Sequence, residues 1–484
     1  MSFGQNYLES HQAGFDILAI HLKTFIAKLI TVYILIFVFE ETIYGQLSLG
    51  PTTYLIAKTA TEAFLYFVLL MVIVYQLSHK RLKHYQLTFF DYCVLLFLCI
   101  AFISTLINEG SLVQGAINIR TMLRYIVIYY IIVLLGWMPS EKQFNRIIKL
   151  LIYLAILQAI LTGLQHFLGD DFRNQYFSPL VLSEDTTNGI QLLKEGKETK
   201  LGAGYGTFGK PAALSFFLLL VSAILLVILH DTHSPKKYLL WIGYIILLVG
   251  IYFSYKRGPL ILALALPIFA AWFMGYKNIA WRYIVFSLLL APILFILLSA
   301  FAPAEFTDAK NERLSPTEAV AQLFTNEYWE NSNTSSRGWF IQEVGVESLT
   351  SAKLIGYGAD PENAQKILAQ QNSNFTKLIG WKAFEDVYIV AIIIYYGPIG
   401  ALLVIFAFSQ LLKISLIRLN YPIYYFRKIK VIFILSILVL IGGIFLERIL
   451  ELRAFTFIFW VFAGFVVVIN RFENSSKKFY VPTR

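Results

Sequence analysis

Residues 208–229 read FGKPAALSFFLLLVSAILLVIL, with a single charged side chain, Lys210, near the start. About 20 apolar residues in a helix cover the roughly 30 Å of a bilayer's hydrocarbon core. This run is one of about twelve of similar kind, near 25–41, 56–77, 88–107, 121–137, 147–168, 208–229, 238–255, 259–275, 283–301, 384–408, 431–446 and 454–470. Composition agrees, since 58% of the 484 residues are apolar and 14% are charged, against roughly 45–50% and 25% in soluble domains. The sequence therefore predicts an all-α, multi-pass transmembrane bundle and excludes a cytosolic globular protein. A formal charge of +10 raises nucleic acid as a partner. The basic residues are instead dispersed over short segments between the runs, as membrane topology requires, and nucleic-acid binding is discarded. Cys93 and Cys99 share one apolar run and read as small hydrophobes, not as a disulfide or metal framework. The first 20 residues combine no charged region with an apolar core, so no cleavable signal peptide is expected.

Alternating the runs from a cytoplasmic N-terminus puts 79–83, 141–146, 236–237, 277–282, 413–430 and the tail from Arg471 inside, each with more Lys and Arg than Asp and Glu. The opposite orientation would export those cations, against the positive-inside bias. The expected organisation is spans 1–9 in residues 1–301, with a smaller outer loop at 169–206, then a large extracytoplasmic loop at 302–383. Residues 384–484 hold spans 10–12 and a cytoplasmic tail. The large loop reads as helical with breaks. Its length exceeds what a connector needs, and Trp329, Trp339, Phe340 and Trp381 argue against disorder.

Ionisable residues in or beside spans are costly and mark cavities or pathways. Arg120 and Arg124 lie four apart, on one helical face, at the outer start of the fourth run. Lys256 and Arg257 occupy a tight outer turn, Lys210 stands at the outer entrance of the sixth run, and Arg337 belongs to the large loop. A cationic group at the outer surface, beside glycines that permit close approach, suits a lipid-linked phosphate or diphosphate. The competing reading is that each cation snorkels to the headgroups. Glu385 and Asp386 stand at the outer start of the tenth run, with Glu447, Arg448, Glu451 and Arg453 in the last outer turn. A carboxylate there can act as general base toward a sugar hydroxyl or cap a helix. No histidine falls in the large loop and no Walker lysine motif is present, so neither a metal nor a nucleotide cofactor is expected.

Four motifs, in order, resemble the bacterial O-antigen polymerase and O-antigen ligase superfamily of membrane glycosyltransferases. Gly206-Thr207-Phe208-Gly209-Lys210-Pro211 is similar to its glycine-threonine-phenylalanine-glycine-asparagine-proline segment, with Lys210 in place of asparagine. Tyr255-Lys256-Arg257-Gly258 resembles its serine-arginine-glycine turn, with Lys256 in place of serine. Ser336-Arg337-Gly338-Trp339 followed by Gly356-Tyr357-Gly358 resembles its loop pattern. Glu385-Asp386-Val387-Tyr388 before Tyr396-Gly397-Pro398-Ile399-Gly400 resembles its loop exit. The likeness covers roughly residues 200–405.

The resemblance implies a GT-C-like helical fold and inverting, metal-independent transfer of a glycan from undecaprenyl diphosphate at the outer face of the cytoplasmic (inner) membrane. Ligases carry histidine where Glu385 stands, so polymerisation of O-antigen or a related surface polysaccharide is favoured. The alternatives are a ligase acting on lipid A-core or another acceptor, and a lipid-glycan transporter or flippase. In the favoured reading Arg257 and Arg337, aided by Lys210, Arg124 and Arg120, bind the diphosphate, and Glu385 or Asp386 is the base. Trp339, Trp381 and Tyr388 meet sugar faces. Partners are the undecaprenyl-diphosphate-linked donor and acceptor, membrane lipids, a chain-length regulator and a flippase. A forked guanidinium contact is geometric. Polymer is therefore expected to be lost in both Arg257→Ala and Arg257→Lys and to survive at least in part in Lys256→Ala, read as polymer yield at matched protein levels.

Overall fold

The structure is a computed structural model that describes residues 2–47, 49–79, 87–177, 180–185, 189–194, 203–231, 237–285, 353–371, 387–417 and 424–479. Its helices are α1 Ser2–Gln46, α2 Pro51–Ser78, α3 Phe89–Ile107, α4 Leu112–Met122, α5 Ile126–Leu135 and α6 Glu141–Tyr176. They continue as α7 Pro211–Asp231, α8 Lys237–Phe253, α9 Arg257–Phe273, α10 Pro361–Gln371, α11 Tyr388–Leu416, α12 Tyr424–Ile444 and α13 Arg453–Phe479. A 3-10 turn at Ile449–Glu451 precedes α13. The smaller loop carries an antiparallel hairpin of β1 Leu180–Asp185 and β2 Gly189–Lys194, with Leu180 opposite Lys194.

Local chemistry sets several boundaries. Thr88 and Asp91 form a reciprocal capping box at the start of α3, the Asp91 carboxylate accepting from the Thr88 N–H at 2.7 Å. Ser140 and Gln143 do the same for α6. Such boxes satisfy donors that a helix start leaves open.

Among the described residues seven helices are long and apolar enough to cross a membrane, and α4 with α5 makes an eighth if that bent pair counts as one span. The chain is a helical membrane protein. Helices α8 and α9 are apolar but have 17 residues each, about 26 Å of rise, and the ninth run, 283–301, lies almost wholly outside the described residues. The fourth run begins earlier than its hydropathy suggests, because Leu112–Met122 is helical despite its polar residues.

Burial separates inner from outer helices. The spanning window of α7 is 89% buried, against 33% for α2, so α7 is surrounded by protein while α2 leaves an apolar face for lipid. Helix α7 packs against α6, α8, α9, α12 and α13, whereas α13 also meets α1, α5 and α11. Helix α3 lies along α11, and α2 along α5.

Among the described residues two spans are broken. Helices α4 and α5 meet at 62° around Tyr125, whose φ of 64° is left-handed. Its ring packs 4.8 Å from that of Phe37 and 5.9 Å from that of Phe457, which supplies contacts to offset the backbone cost of that conformation. Helix α11 breaks at Gly397-Pro398, with Gly397 at φ 69°. Pro398 has no N–H for the Ile394 carbonyl, and the Ile399 N–H turns to Leu354 O at 3.3 Å, leaving the Tyr395 carbonyl open too. The loop segment before α10 fills both positions, as Tyr357 N–H donates to Ile394 O at 2.9 Å and Gly358 N–H to Tyr395 O at 3.0 Å. Away from water an open carbonyl is costly, so this strip of loop is part of the bundle.

Gly356 makes the fit possible. A Cβ there would lie 2.5 Å from Gly397 N and Tyr395 O, and its φ of 77° already disfavours other residues. Gly356→Ala should cost about 2–4 kcal/mol, lowering the thermal unfolding midpoint in detergent. Gly163→Ala, within α6 and with only a side-chain atom of Phe253 at 3.9 Å, should leave that midpoint unchanged or slightly higher.

Candidate functional site

The C-terminal ends of α1 and α3 meet α4 and the N-terminal parts of α2 and α13 at one end of the bundle, and charged side chains from four of these five helices converge there, that of α4 from its last turn. The Arg453 guanidinium, at the first residue of α13, donates through Nη1 to both oxygens of Glu40 on α1 at 3.0 and 3.1 Å. Its Nη2 lies 3.6 Å from Glu62 on α2. The same Glu62 meets Arg124 Nε at 3.0 Å and Arg120 Nε at 3.7 Å. Beside them Lys58 pairs with Glu41 at 2.5 Å, and the Tyr54 hydroxyl donates to that carboxylate at 2.8 Å. Glu40 and Glu62 are buried, so their charges rest on this pairing rather than on water.

A polar cavity adjoins the group, lined by Asn118, Tyr388, Tyr395, Tyr396, Arg448 and Glu451. Arg448 and Glu451, three apart in the turn before α13, pair at 3.3 Å. The Asn118 amide donates to the Tyr396 hydroxyl at 3.4 Å and to Ala359 O at 3.0 Å, and Tyr388 lies within electrostatic range of Arg124 and Glu451. An apolar cavity runs from the α4–α5 break into the bundle toward the first turns of α3, with Phe90, Cys93, Phe97, Met122, Leu450 and Trp460 in its wall. Met122 and Leu123 immediately precede Arg124, and Leu450 lies between Arg448 and Glu451, so the two cavities draw on neighbouring residues of the same segments.

Segment 353–363 closes this end. Ser104 Oγ and the Asn108 amide donate to Gly356 O at 3.1 and 3.2 Å, Ala359 N–H donates to Thr105 Oγ1 at 2.8 Å, and Ser111 N–H to the Asp360 carboxylate at 2.9 Å. Asp360 also caps α10 through the N–H groups of Glu362 and Asn363. The Gly356-Tyr357-Gly358 motif thus acts through its backbone.

The turn 203–210 serves α6. The Gln165 carbonyl oxygen accepts from Tyr205 and Gly206 N–H at 2.9 and 2.8 Å, and that of Gln158 from Thr207 N–H at 2.9 Å. A Cβ on Gly206 would lie 2.3 Å from Gln158 Oε1. These amides are engaged by glutamines, so the closeness that the glycines allow is to a helix rather than to phosphate. Thr207 Oγ1 donates to Val38 O, and Thr42 Oγ1 to Thr207 O at 3.2 Å, which fixes the turn beside the Glu40 end of α1.

Of the residues singled out in the sequence, the structure brings Arg120 and Arg124 together on Glu62 and sets Tyr388 in the polar cavity. The two arginines do not share a helical face as their spacing suggests, because α4 ends at Met122 and Arg124 lies in the break before α5. Lys210 is exposed at the start of α7. Arg257 opens α9, where the neighbouring Lys256 pairs with Glu447 at 3.3 Å, in the segment that carries Arg448. Arg337, Trp339, Trp381, Glu385 and Asp386 lie outside the described residues. Sequence reasoning passed over Glu40, Glu41, Lys58 and Glu62. The available signal was their place within or beside apolar runs, with Lys58 and Glu62 four apart. No protein-family model and no curated protein matches the chain.

Removing one partner from a buried, hydrogen-bonded ion pair costs about 3–5 kcal/mol, because the other charge stays behind unpaired. Arg453→Met should destabilise the protein by about that much, and the pair Glu40→Gln with Arg453→Met should recover part of the loss. Thermal or denaturant unfolding in detergent reads both.

Proposed function

We propose that the chain polymerises glycan repeat units carried on undecaprenyl diphosphate, at the outer face of the cytoplasmic membrane. The observation that carries this reading is that three surfaces are built from neighbouring residues around the α4–α5 break and the turn before α13. These are the apolar cavity by Met122 and Leu450, the arginines Arg120 and Arg124, and the tyrosine-lined cavity of Tyr388, Tyr395 and Tyr396. A lipid-linked diphosphate sugar presents the matching sequence of an apolar tail, an anionic link and a glycan whose C–H faces pack on aromatic rings. The motif resemblance over residues 200–405 supplies the reaction.

In this reading the fold is GT-C-like with about twelve spans. The count adds α8, α9, α12 and the run at 283–301 to the seven long helices and the broken pair. Both termini are cytoplasmic, and the arginine-bearing end faces outward. The terminal hydroxyl oxygen of the incoming repeat unit attacks the anomeric carbon of the growing chain, and the bond from that carbon to the diphosphate oxygen breaks. The hydroxyl proton passes to Glu385 or Asp386. The lipid diphosphate departs with the bonding electrons, stabilised by Arg257, Arg337, Lys210 and the Arg120–Arg124 pair. Trp339, Trp381 and Tyr388 hold sugar faces. The activated bond arrives with the donor, so no nucleotide enters. A flippase and a chain-length regulator are the expected protein partners.

Deleting the gene should leave surface glycan with a single repeat unit on its acceptor. Glu385→Gln should reproduce that loss while the protein still folds and binds lipid-linked donor, and Asp386→Asn should cost about 1 kcal/mol of stability as a weakened cap. Full-length polymer in the deletion strain would overturn the proposal. Unaltered assembly on the lipid carrier, with transfer to the final acceptor lost, would point to a ligase instead.

A further inference from the structure

The two buried carboxylates of the charged end are held in different ways. Glu40 receives two hydrogen bonds from Arg453. Glu62 faces Arg124 and Arg120 at 3.0 and 3.7 Å and the second Arg453 nitrogen at 3.6 Å, but the Nε–H groups of Arg120 and Arg124 are buried without a hydrogen-bond partner, and among the described residues neither of those two guanidinium groups makes a hydrogen bond. A guanidinium offers five N–H donors in a planar fork, and two of them brought together on Glu62, one from the last turn of α4 and one from the break that follows it, form a broad donor surface. Glu62 therefore neutralises that surface without filling its hydrogen-bonding capacity. Access exists as well, for the Arg120 side chain is 38% exposed while Glu62 beneath it is 6% exposed.

We infer that Glu62 is an exchangeable counter-ion. It occupies the Arg120–Arg124 anion site when no ligand is bound and is displaced by a lipid-linked diphosphate, a role that rests on the function proposed above. A diphosphate brings at least one more negative charge than a carboxylate and several oxygens in tetrahedral array, which can satisfy donors that two coplanar carboxylate oxygens leave open. Arg453 keeps Glu40 throughout, so the exchange does not strip the core of its hydrogen-bonded pair. The return of Glu62 to the arginines would help expel the spent lipid diphosphate after transfer.

An internal competitor has an unusual signature, in that removing it strengthens binding. The full-length protein in detergent is titrated with inorganic pyrophosphate and, separately, with farnesyl diphosphate, by calorimetry at fixed ionic strength. Glu62→Gln should bind pyrophosphate about tenfold tighter than the unaltered protein, because one negative charge beside the site is gone. Arg124→Gln should bind about tenfold more weakly, and the double variant should be no better than Arg124→Gln alone. Glu62→Asp, which keeps the charge but shortens its reach, should fall between the unaltered protein and Glu62→Gln, and it keeps the test open if the glutamine variant does not fold. Farnesyl diphosphate should give the same ranking at higher affinity throughout. Unchanged or weaker pyrophosphate binding by folded Glu62→Gln or Glu62→Asp would overturn the exchange, and equal affinity for the two probes would overturn a lipid-linked occupant. These readouts are independent of polymer formation, so a failed deletion experiment would sink the polymerase reading and leave the exchange to stand or fall on its own.

Discussion

A guanidinium in a low-dielectric setting has to be matched by carboxylate, and Arg453 meets that demand with Glu40 and Glu62 from two other helices. Helices α1 and α2 each bury one apolar stripe in the core and leave the rest of their surface outward. The ionic contacts add directional ties between them, linking α1, α2, α4 and α13 at one end. The same contacts set where Arg120 and Arg124 stand, and the α4–α5 break at Tyr125 turns their segment across the bundle end. Site and scaffold share one electrostatic constraint.

The second organising principle is that backbone groups inside the bundle find partners. At Pro398 the helix cannot supply them, and a strip of loop provides two N–H groups in their place. At the turn 203–210 the glutamine side chains of α6 perform the same service. Irregular backbone is tolerated at these depths because each open group is met by protein.

The membrane-spanning runs were legible because hydropathy is a local property. The run at 88–107 and helix α3 at Phe89–Ile107 nearly coincide, and Thr88 and Asp91 announce the boundary. Helix α4 was not read as one because Gln114, Asn118 and Arg120 interrupt its apolarity, and only its neighbours make that mixed surface appropriate. In the charged group, Arg120 and Arg124 were visible as a pair at helical spacing. Glu40 gains meaning only from Arg453, and Glu62 from Arg120, Arg124 and Arg453, none of which lies in its local window. Gln158 and Gln165 are two helical turns apart, a local signal, yet their purpose depends on a turn some forty residues downstream.

The Glu40–Arg453 pair also orders the birth of the molecule. Its members lie 413 positions apart, and at about 5–20 residues per second the ribosome needs roughly 20–80 s to make the second after the first. Glu62 receives Arg120 and Arg124 early in that interval, but Glu40 has to wait for Arg453 until α13 emerges. In the meantime α1 has to carry that carboxylate near the membrane surface or as the neutral acid, since a bare charge in hydrocarbon is expensive. Arrival of α13 lets the charge settle at its buried position, so a helix made 413 positions later completes the seating of α1. A chain interrupted before Arg453 would hold α1 to α12 and still leave the Glu40 carboxylate without its guanidinium.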